Sequence, residues 1–260
     1  MRLGQSKLNG HVVAAVFENG LARPVPNYTV IELIQRSEAE RIPLAEVAAR
    51  LASRHLEDCE PVLPLSPPEV WACGLADNRE PRPAIYFKGT ARVCVGPGQA
   101  IGIRADSRFT APGLALAVVL GSRGRILGYM PANDVSAWDI ERENALYLPQ
   151  AKIYNASCAL GPAIVTADEP IDPCRLEMSC TIARGGAELF SGSVLTARLS
   201  RRIETIVEFL MRSNHVPAGS VLLAGTGIVV PPEAALAPGD VVTIRAAEFG
   251  ELVNRAALVE

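Results

Sequence analysis

Residues 128–162 read GYMPANDVSAWDIERENALYLPQAKIYNASCALGP, and they gather Asn133, Asp134, Asp139, Glu141, Glu143, Gln150 and Lys152 between short apolar runs. Polar density of this kind beside strand-like sequence is where a binding or catalytic site is expected. The flanking runs at 114–120, 126–129 and 164–166 are short, apolar and rich in Val, Ile and Leu, which reads as strands. Further such runs at 70–72, 84–87, 100–103, 178–183, 187–189, 221–223 and 241–245 extend one large, mostly antiparallel sheet system. Low aromatic content with 20 prolines and 21 glycines agrees with many short elements joined by turns.

The N-terminal end has a different pattern. An apolar run at 11–17 is followed by Asn19-Gly20 and a second run at 21–25, the signature of a tight hairpin. Thr29 can cap a helix carrying Val30, Leu33 and Ile34, and Pro43 opens another with Val47, Ala48 and Leu51 on one face. Residues 60–68, EPVLPLSPP, exclude a helix and read as an extended connection. Two parts are expected: an N-terminal hairpin and helix module at 1–60, and a larger domain at 61–260. Near the C-terminus, Ser200 precedes a helical pattern through Ile203, Ile206, Val207 and Leu210.

Composition narrows the function. A net charge of −3 offers no strong field for nucleic acid or an anionic membrane. No apolar stretch approaches the ~20 residues of a spanning helix, and the N-terminus lacks a signal peptide's apolar core, so a cytoplasmic protein is expected. Six scattered cysteines without a CxxC pair read as free thiols, Cys73 and Cys158 among them. The three histidines have no metal-ligand spacing, and no GxSxG elbow is present. Gly96-Pro97-Gly98 and Gly225-Thr226-Gly227 lack the context of a phosphate loop.

The runs NDVS, DIExEN, LYLPQAK and SCALGP in the opening stretch resemble the fumarylacetoacetate hydrolase family, especially its 2-keto-3-deoxy sugar-acid dehydratases. PAIYFKGT at 83–90, IGIRADSRF at 101–109, LAGTG at 223–227 and PGDVV at 238–242 stand in the same order, so the resemblance covers nearly the whole chain. It implies an α+β, β-rich fold: a mixed β-roll with the site at its mouth, behind a small N-terminal module. It also implies a homodimer, and a divalent cation, usually Mg²⁺, that chelates a 2-oxo or β-dicarbonyl acid while enolate charge develops.

In relatives three carboxylates hold the ion: two from a PExEL-like motif and the aspartate of the NDVS-like run. Here Ala111 and Gly113 stand at the two glutamate positions, and only Asp134 matches. A shift of register restores nothing, because no glutamate lies between Asp106 and Asp134. No tightly held metal is therefore expected, with Mg²⁺ or Mn²⁺ as the alternative. Glu141 and Glu143 could stand in for the missing ligands, but they match positions that relatives carry beside an intact site and so read as helix-surface or ion-pair residues. The segment 73–81 is short and has no histidine, so the His and Glu pair that activates water in many hydrolase members is also not expected.

The resemblance leaves Lys88, Asp134, Lys152 and Thr226 as candidate catalytic groups, with Arg104, Asn133, Trp138, Gln150 and Gly225 as candidate substrate contacts. Two lysines in a closed pocket can stabilise an enolate or bind a carboxylate, and one lowered by the other can act as a base. Trp138 stands where relatives commonly have arginine in an SSRD-like run, which would turn the pocket toward an apolar substrate. The leading expectation is an enzyme acting on a 2-oxo, enol or β-dicarbonyl acid as a lyase, dehydratase or hydrolase. Its rivals are a non-catalytic partner subunit and a metal-free cyclase or isomerase of a biosynthetic pathway.

Overall fold

The computed structural model describes residues 1–74, 81–198 and 201–260. The expectations for the short segment at 73–81 and for Ser200 as a helix cap fall on residues 75–80 and 199–200, outside the described residues. The chain begins with an antiparallel meander, β1 (Arg2–Leu8), β2 (His11–Glu18) and β3 (Leu21–Val25). The expected hairpin is β2 and β3; β1 is additional, because RLGQSKL lacks the apolar content that marks a strand in sequence.

Two helices follow, α1 (Val30–Glu40) and α2 (Leu44–Leu51). Thr29 caps α1 through a reciprocal capping box with Glu32, and Val30, Leu33, Ile34 and Ser37 form its buried stripe. The proline-rich connection is extended and tied to β1: Val62 N–H donates to the Gln5 carbonyl at 3.0 Å, and Gln5 Nε2 donates to the Leu63 carbonyl at 2.8 Å.

The remaining elements are β4 (Val70–Cys73), β5 (Ile85–Gly89), β6 (Cys94–Val95), β7 (Ile101–Arg104), β8 (Thr110–Ala111), β9 (Leu114–Leu120), β10 (Ile126–Asp134) and β11 (Ser136–Ala137). Two short helices, α3 (Trp138–Glu143) and α4 (Leu148–Lys152), precede β12 (Cys158–Leu160), β13 (Ile164–Thr166), β14 (Glu177–Arg184) and β15 (Ala187–Leu195). The chain ends with α5 (Ile203–Met211), β16 (Val221–Gly225), β17 (Val241–Ala246) and β18 (Gly250–Val259).

The main sheet runs β3-β2-β1-β13-β10-β9-β16-β4-β5, with β12 paired to β10 and β6 to β12. A second sheet runs β15-β14-β17-β18-β7, and β8 pairs with β11. Pairing is mostly antiparallel, the exceptions being β16 with β4, β12 with β6 and β18 with β7.

Strand β9, LALAVVL, is buried along its whole length and shows how the layers stack. Ala115, Ala117 and Val119 join the apolar cluster built with α1 and α2, while Leu116, Val118 and Leu120 join the cluster built with the second sheet and α5. A strand covered on both faces reads as an unbroken apolar run, because its period of two has core on either side. The main sheet is thus the middle layer of the molecule.

This sheet is rolled. Strands β10 and β5 are four steps apart along it, about 19 Å in a flat sheet at roughly 4.8 Å per step. Yet Lys88 Nζ on β5 lies 2.7 Å from Asp134 Oδ1 at the end of β10. Only a sheet curled toward closure brings these two side chains together.

Candidate active site

Three elements converge where the roll closes. Tyr86 and Lys88 are two apart on β5 and so project to the same face, Asp134 ends β10, and Lys152 ends α4. Lys88 has no accessible surface; its Nζ donates to the Val135 carbonyl at 2.8 Å and pairs with Asp134 Oδ1. Lys152 is 7% exposed, donates to Ser136 Oγ at 2.7 Å, and lies 3.8 Å from Asp134 Oδ2 and 3.1 Å from Glu141 Oε2. The Tyr86 hydroxyl donates to Asp134 Oδ2. Lys152 Nζ also lies 5.3 Å from the Tyr86 ring centroid and 6.0 Å from that of Trp138, within cation–π range of both.

The electrostatics follow from this packing. Burial pushes the Asp134 carboxyl up, but the charges of Lys152 and Lys88 and the hydrogen bonds from Lys88 and Tyr86 outweigh it and hold the group below the usual carboxylate range. Burial, reinforced by the Lys152 charge, lowers Lys88 despite the opposing pull of Asp134. Burial, then the Asp134 charge and the hydrogen bond to it, keep the Tyr86 phenol protonated well past its ordinary value. The cluster therefore holds an ionised aspartate between two lysines, with a phenol donor fixed to it.

The other sequence candidates are distributed around this centre. Asn133 precedes Asp134 on β10 and points to the opposite face, where its Oδ1 accepts from Gly113 N–H at 3.0 Å and its Nδ2 is buried without a partner. Thr226 donates its hydroxyl to the Leu114 carbonyl at 2.9 Å, and Gly225 pairs with Ala115, so both are built into the β9–β16 edge beside the site. Arg104 is held by Asp106, with Nε 2.6 Å from Oδ1, and by the Gln150 carbonyl at 3.0 Å. The Gln150 side chain is on the exposed side of α4. Trp138 packs against Phe109, ring centroids 6.3 Å apart, and faces Lys152.

One residue, Tyr86, escaped sequence reasoning, and the place of Glu141 in the cluster did as well. Tyr86 sits in the quoted run PAIYFKGT, and its i, i+2 relation to Lys88 was the available signal. Glu141, read as a helix-surface or ion-pair residue, does form an ion pair, but with Lys152 inside the cluster. Cys73 and Cys158 remain thiols: burial raises Cys73 to about 11, and a hydrogen bond with Cys94 together with burial raises Cys158 well above the ordinary thiol value. Neither is poised as a nucleophile.

Ala111 and Gly113 frame the same centre. A Cβ at Gly113 would lie 2.5 Å from the Asp134 carbonyl oxygen, so no side chain fits there without movement of the strand. Among the described residues, no group of three His, Cys, Asp or Glu gathers into a metal-binding cluster. No described helix is long and apolar enough to cross a membrane.

The family description "Fumarylacetoacetate (FAA) hydrolase C-terminal" matches residues 69–257. The chain is 36% identical over 284 aligned residues to 2-dehydro-3-deoxy-D-arabinonate dehydratase of Saccharolobus solfataricus, covering 98% of this chain and 95% of that one. It is 37% identical to a protein of Haloferax volcanii named "Probable 2-keto-3-deoxyxylonate dehydratase", covering 79% and 81%. A solved structure of 2-keto-3-deoxy-D-arabinonate dehydratase complexed with magnesium and 2,5-dioxopentanoate superposes with a TM-score of 0.87 at 35% identity, over 100% of both chains.

That magnesium overturns the expectation of no cofactor. The reading from Ala111 and Gly113 assumed that the protein must supply most ligands, whereas Mg²⁺ often takes one or two carboxylates and completes its shell with water and substrate oxygens. The donor chemistry here fits that lighter form of binding. Asp134 Oδ1 and Glu141 Oε2 are buried hard-oxygen donors, Oδ1 facing Lys88 at 2.7 Å and Oε2 facing Lys152 at 3.1 Å, and Lys152 lies within 4 Å of both carboxylates.

Proposed function

Because the chain belongs to the fumarylacetoacetate hydrolase family and is an enzyme of it, we propose that it removes water from a 2-keto-3-deoxy sugar acid. The single observation carrying this reading is the Lys88, Asp134, Lys152 and Glu141 cluster at the closed edge of the roll. All of these residues lie in the part we assign as the catalytic domain, 61–260, with 1–60 as its covering module.

The chemistry sets the requirements. A 2-oxo group makes the C3 hydrogens acidic; loss of one leaves negative charge on the C2 oxygen, and a hydroxyl on C4 then departs as the C3–C4 double bond forms. The 5-hydroxy enone so formed becomes the 2,5-dioxo acid when a C5 proton is moved to C3 and the resulting C4–C5 enol ketonises. The enzyme must stabilise the enolate, take the C3 proton and protonate the leaving hydroxyl. Lys152 retains slight exposure and holds its ammonium beside the Trp138 ring, which suits it to the developing charge on the C2 oxygen. Lys88, without accessible surface, acts through Asp134 and is a positioning residue.

Asp134 is a poor proton acceptor, since Tyr86 and Lys88 hold its two oxygens and its basicity is depressed. Glu141 is bound by one lysine through Oε2 and is better placed to take the C3 proton and return it to the departing hydroxyl. Asp134 would hold magnesium together with water and oxygens of the substrate. When bound, magnesium would supply Lewis-acid polarisation of the 2-oxo group.

The test is to incubate the protein with 2-keto-3-deoxy-D-arabinonate and Mg²⁺ and follow 2,5-dioxopentanoate by NMR. Product formation is expected, and Glu141→Gln should lower kcat by about 10²- to 10⁴-fold with little change in KM. No turnover by the unaltered chain on this acid or its xylonate-derived counterpart, with or without Mg²⁺, would overturn the proposal.

A further inference from the structure

We propose that Arg142 recognises the carboxylate of the oxo acid and makes the site selective for anionic substrates; this rests on the dehydratase reading above. Trp138 and Arg142 are four residues apart on α3 and so share one face of the helix. The Arg142 guanidinium carbon lies 4.9 Å from the Trp138 ring centroid and 5.5 Å from that of Phe109. Stacking on two aromatic faces fixes the guanidinium without consuming any of its five N–H donors.

Charge accounting, beside this stacking, sets the residue apart from the cations of the cluster. Lys88 is paired with Asp134, Lys152 with Asp134 and Glu141, and Arg104 with Asp106. The lysines and carboxylates of the cluster cancel formally. Among the described residues, Arg142 has no carboxylate within ion-pair distance, so unlike Lys88, Lys152 and Arg104 it has no protein counter-ion. It is exposed, and it neighbours Glu141, whose carboxylate reaches Lys152. A planar fork held open at a site rim matches a carboxylate, which can accept two parallel hydrogen bonds from it. The expected apolar turn of the pocket at Trp138 is thereby reversed: the indole is the platform on which a cation is presented.

The experiment compares the unaltered enzyme with Arg142→Gln and Arg142→Lys, using steady-state kinetics on 2-keto-3-deoxy-D-arabinonate and calorimetric binding of pyruvate and its neutral analogue pyruvamide. For Arg142→Gln we expect KM to rise about 10- to 100-fold, the worth of a charged hydrogen-bonded contact, and the preference for pyruvate over pyruvamide to collapse. Arg142→Lys should retain part of that preference, since the charge stays and the fork is lost. A pyruvate to pyruvamide ratio unchanged in Arg142→Gln would overturn the inference, whereas a merely structural arginine would lower both affinities together. If the unaltered protein prefers pyruvate through Arg142 but does not dehydrate the sugar acid, the dehydratase reading fails and this one stands.

Discussion

Asp134 shows how much of this site depends on pairing. Lys88 is fully enclosed, and its charge is tolerated because the Asp134 carboxylate and the Val135 carbonyl face it. Removing one member of a buried pair is expected to cost about 3–5 kcal/mol, because the other charge is left without compensation, whereas replacing both with neutral groups costs far less. Asp134→Ala should therefore lower the urea midpoint strongly, and Lys88→Met combined with Asp134→Ala should recover most of the loss. Equal midpoints for the single and double variants would mean that Lys88 finds another acceptor or sheds its proton. Both variants should lose activity, so the stability measurement separates positioning from chemistry.

At the scale of elements, the second sheet is fastened by a pair outside the site. Asp240, in the turn before β17, accepts Arg184 Nε at 2.9 Å and Arg184 Nη2 at 2.8 Å from β14, and also the Ala237 N–H at 2.8 Å. The hydrogen bond from Arg184 holds the Asp240 carboxyl below its ordinary range, with burial opposing. A group whose folded pKa is depressed contributes stability that is fully present above its unfolded value, near 4, and is lost as pH falls through the folded value. Denaturation profiles from pH 6 to pH 2 should show that acid-side loss, and Asp240→Asn should flatten it while lowering stability at pH 6. An unchanged acid limb in Asp240→Asn would place the pH dependence elsewhere.

Over the whole molecule, the N-terminal residues serve as a wall of the core. Strand β1 extends the main sheet through β13, and α1 and α2 join the cluster that includes Ala115, Ala117, Val119, Val221 and Leu223. A chain lacking residues 1–60 would expose that face of β9 and β16, a contiguous apolar surface that favours aggregation. We expect such a chain to be insoluble or to lack the near-ultraviolet circular dichroism of packed aromatic residues. A soluble, cooperatively unfolding product would show that 61–260 folds alone.

What the sequence by itself determined is the local order. The capping box at Thr29, the apolar stripe of α1, the unbroken run of β9 and the motifs around Asp134 and Lys152 all follow from patterns a few residues long, because helix and strand periodicity are short-range properties. Strands β1 and β18 lack a regular apolar pattern, and beyond their hairpin neighbours each is joined to a strand far along the chain, β1 to β13 and β18 to β7. The roles of Tyr86, Glu141 and Arg142 were decided only by the tertiary structure. Closure of the roll brings β5 to β10 across four strand steps, and α3 folds Glu141 onto Lys152 and Arg142 onto Trp138. Which groups meet, and which cation is left without a partner, depends on those long-range contacts, and no local pattern encodes them.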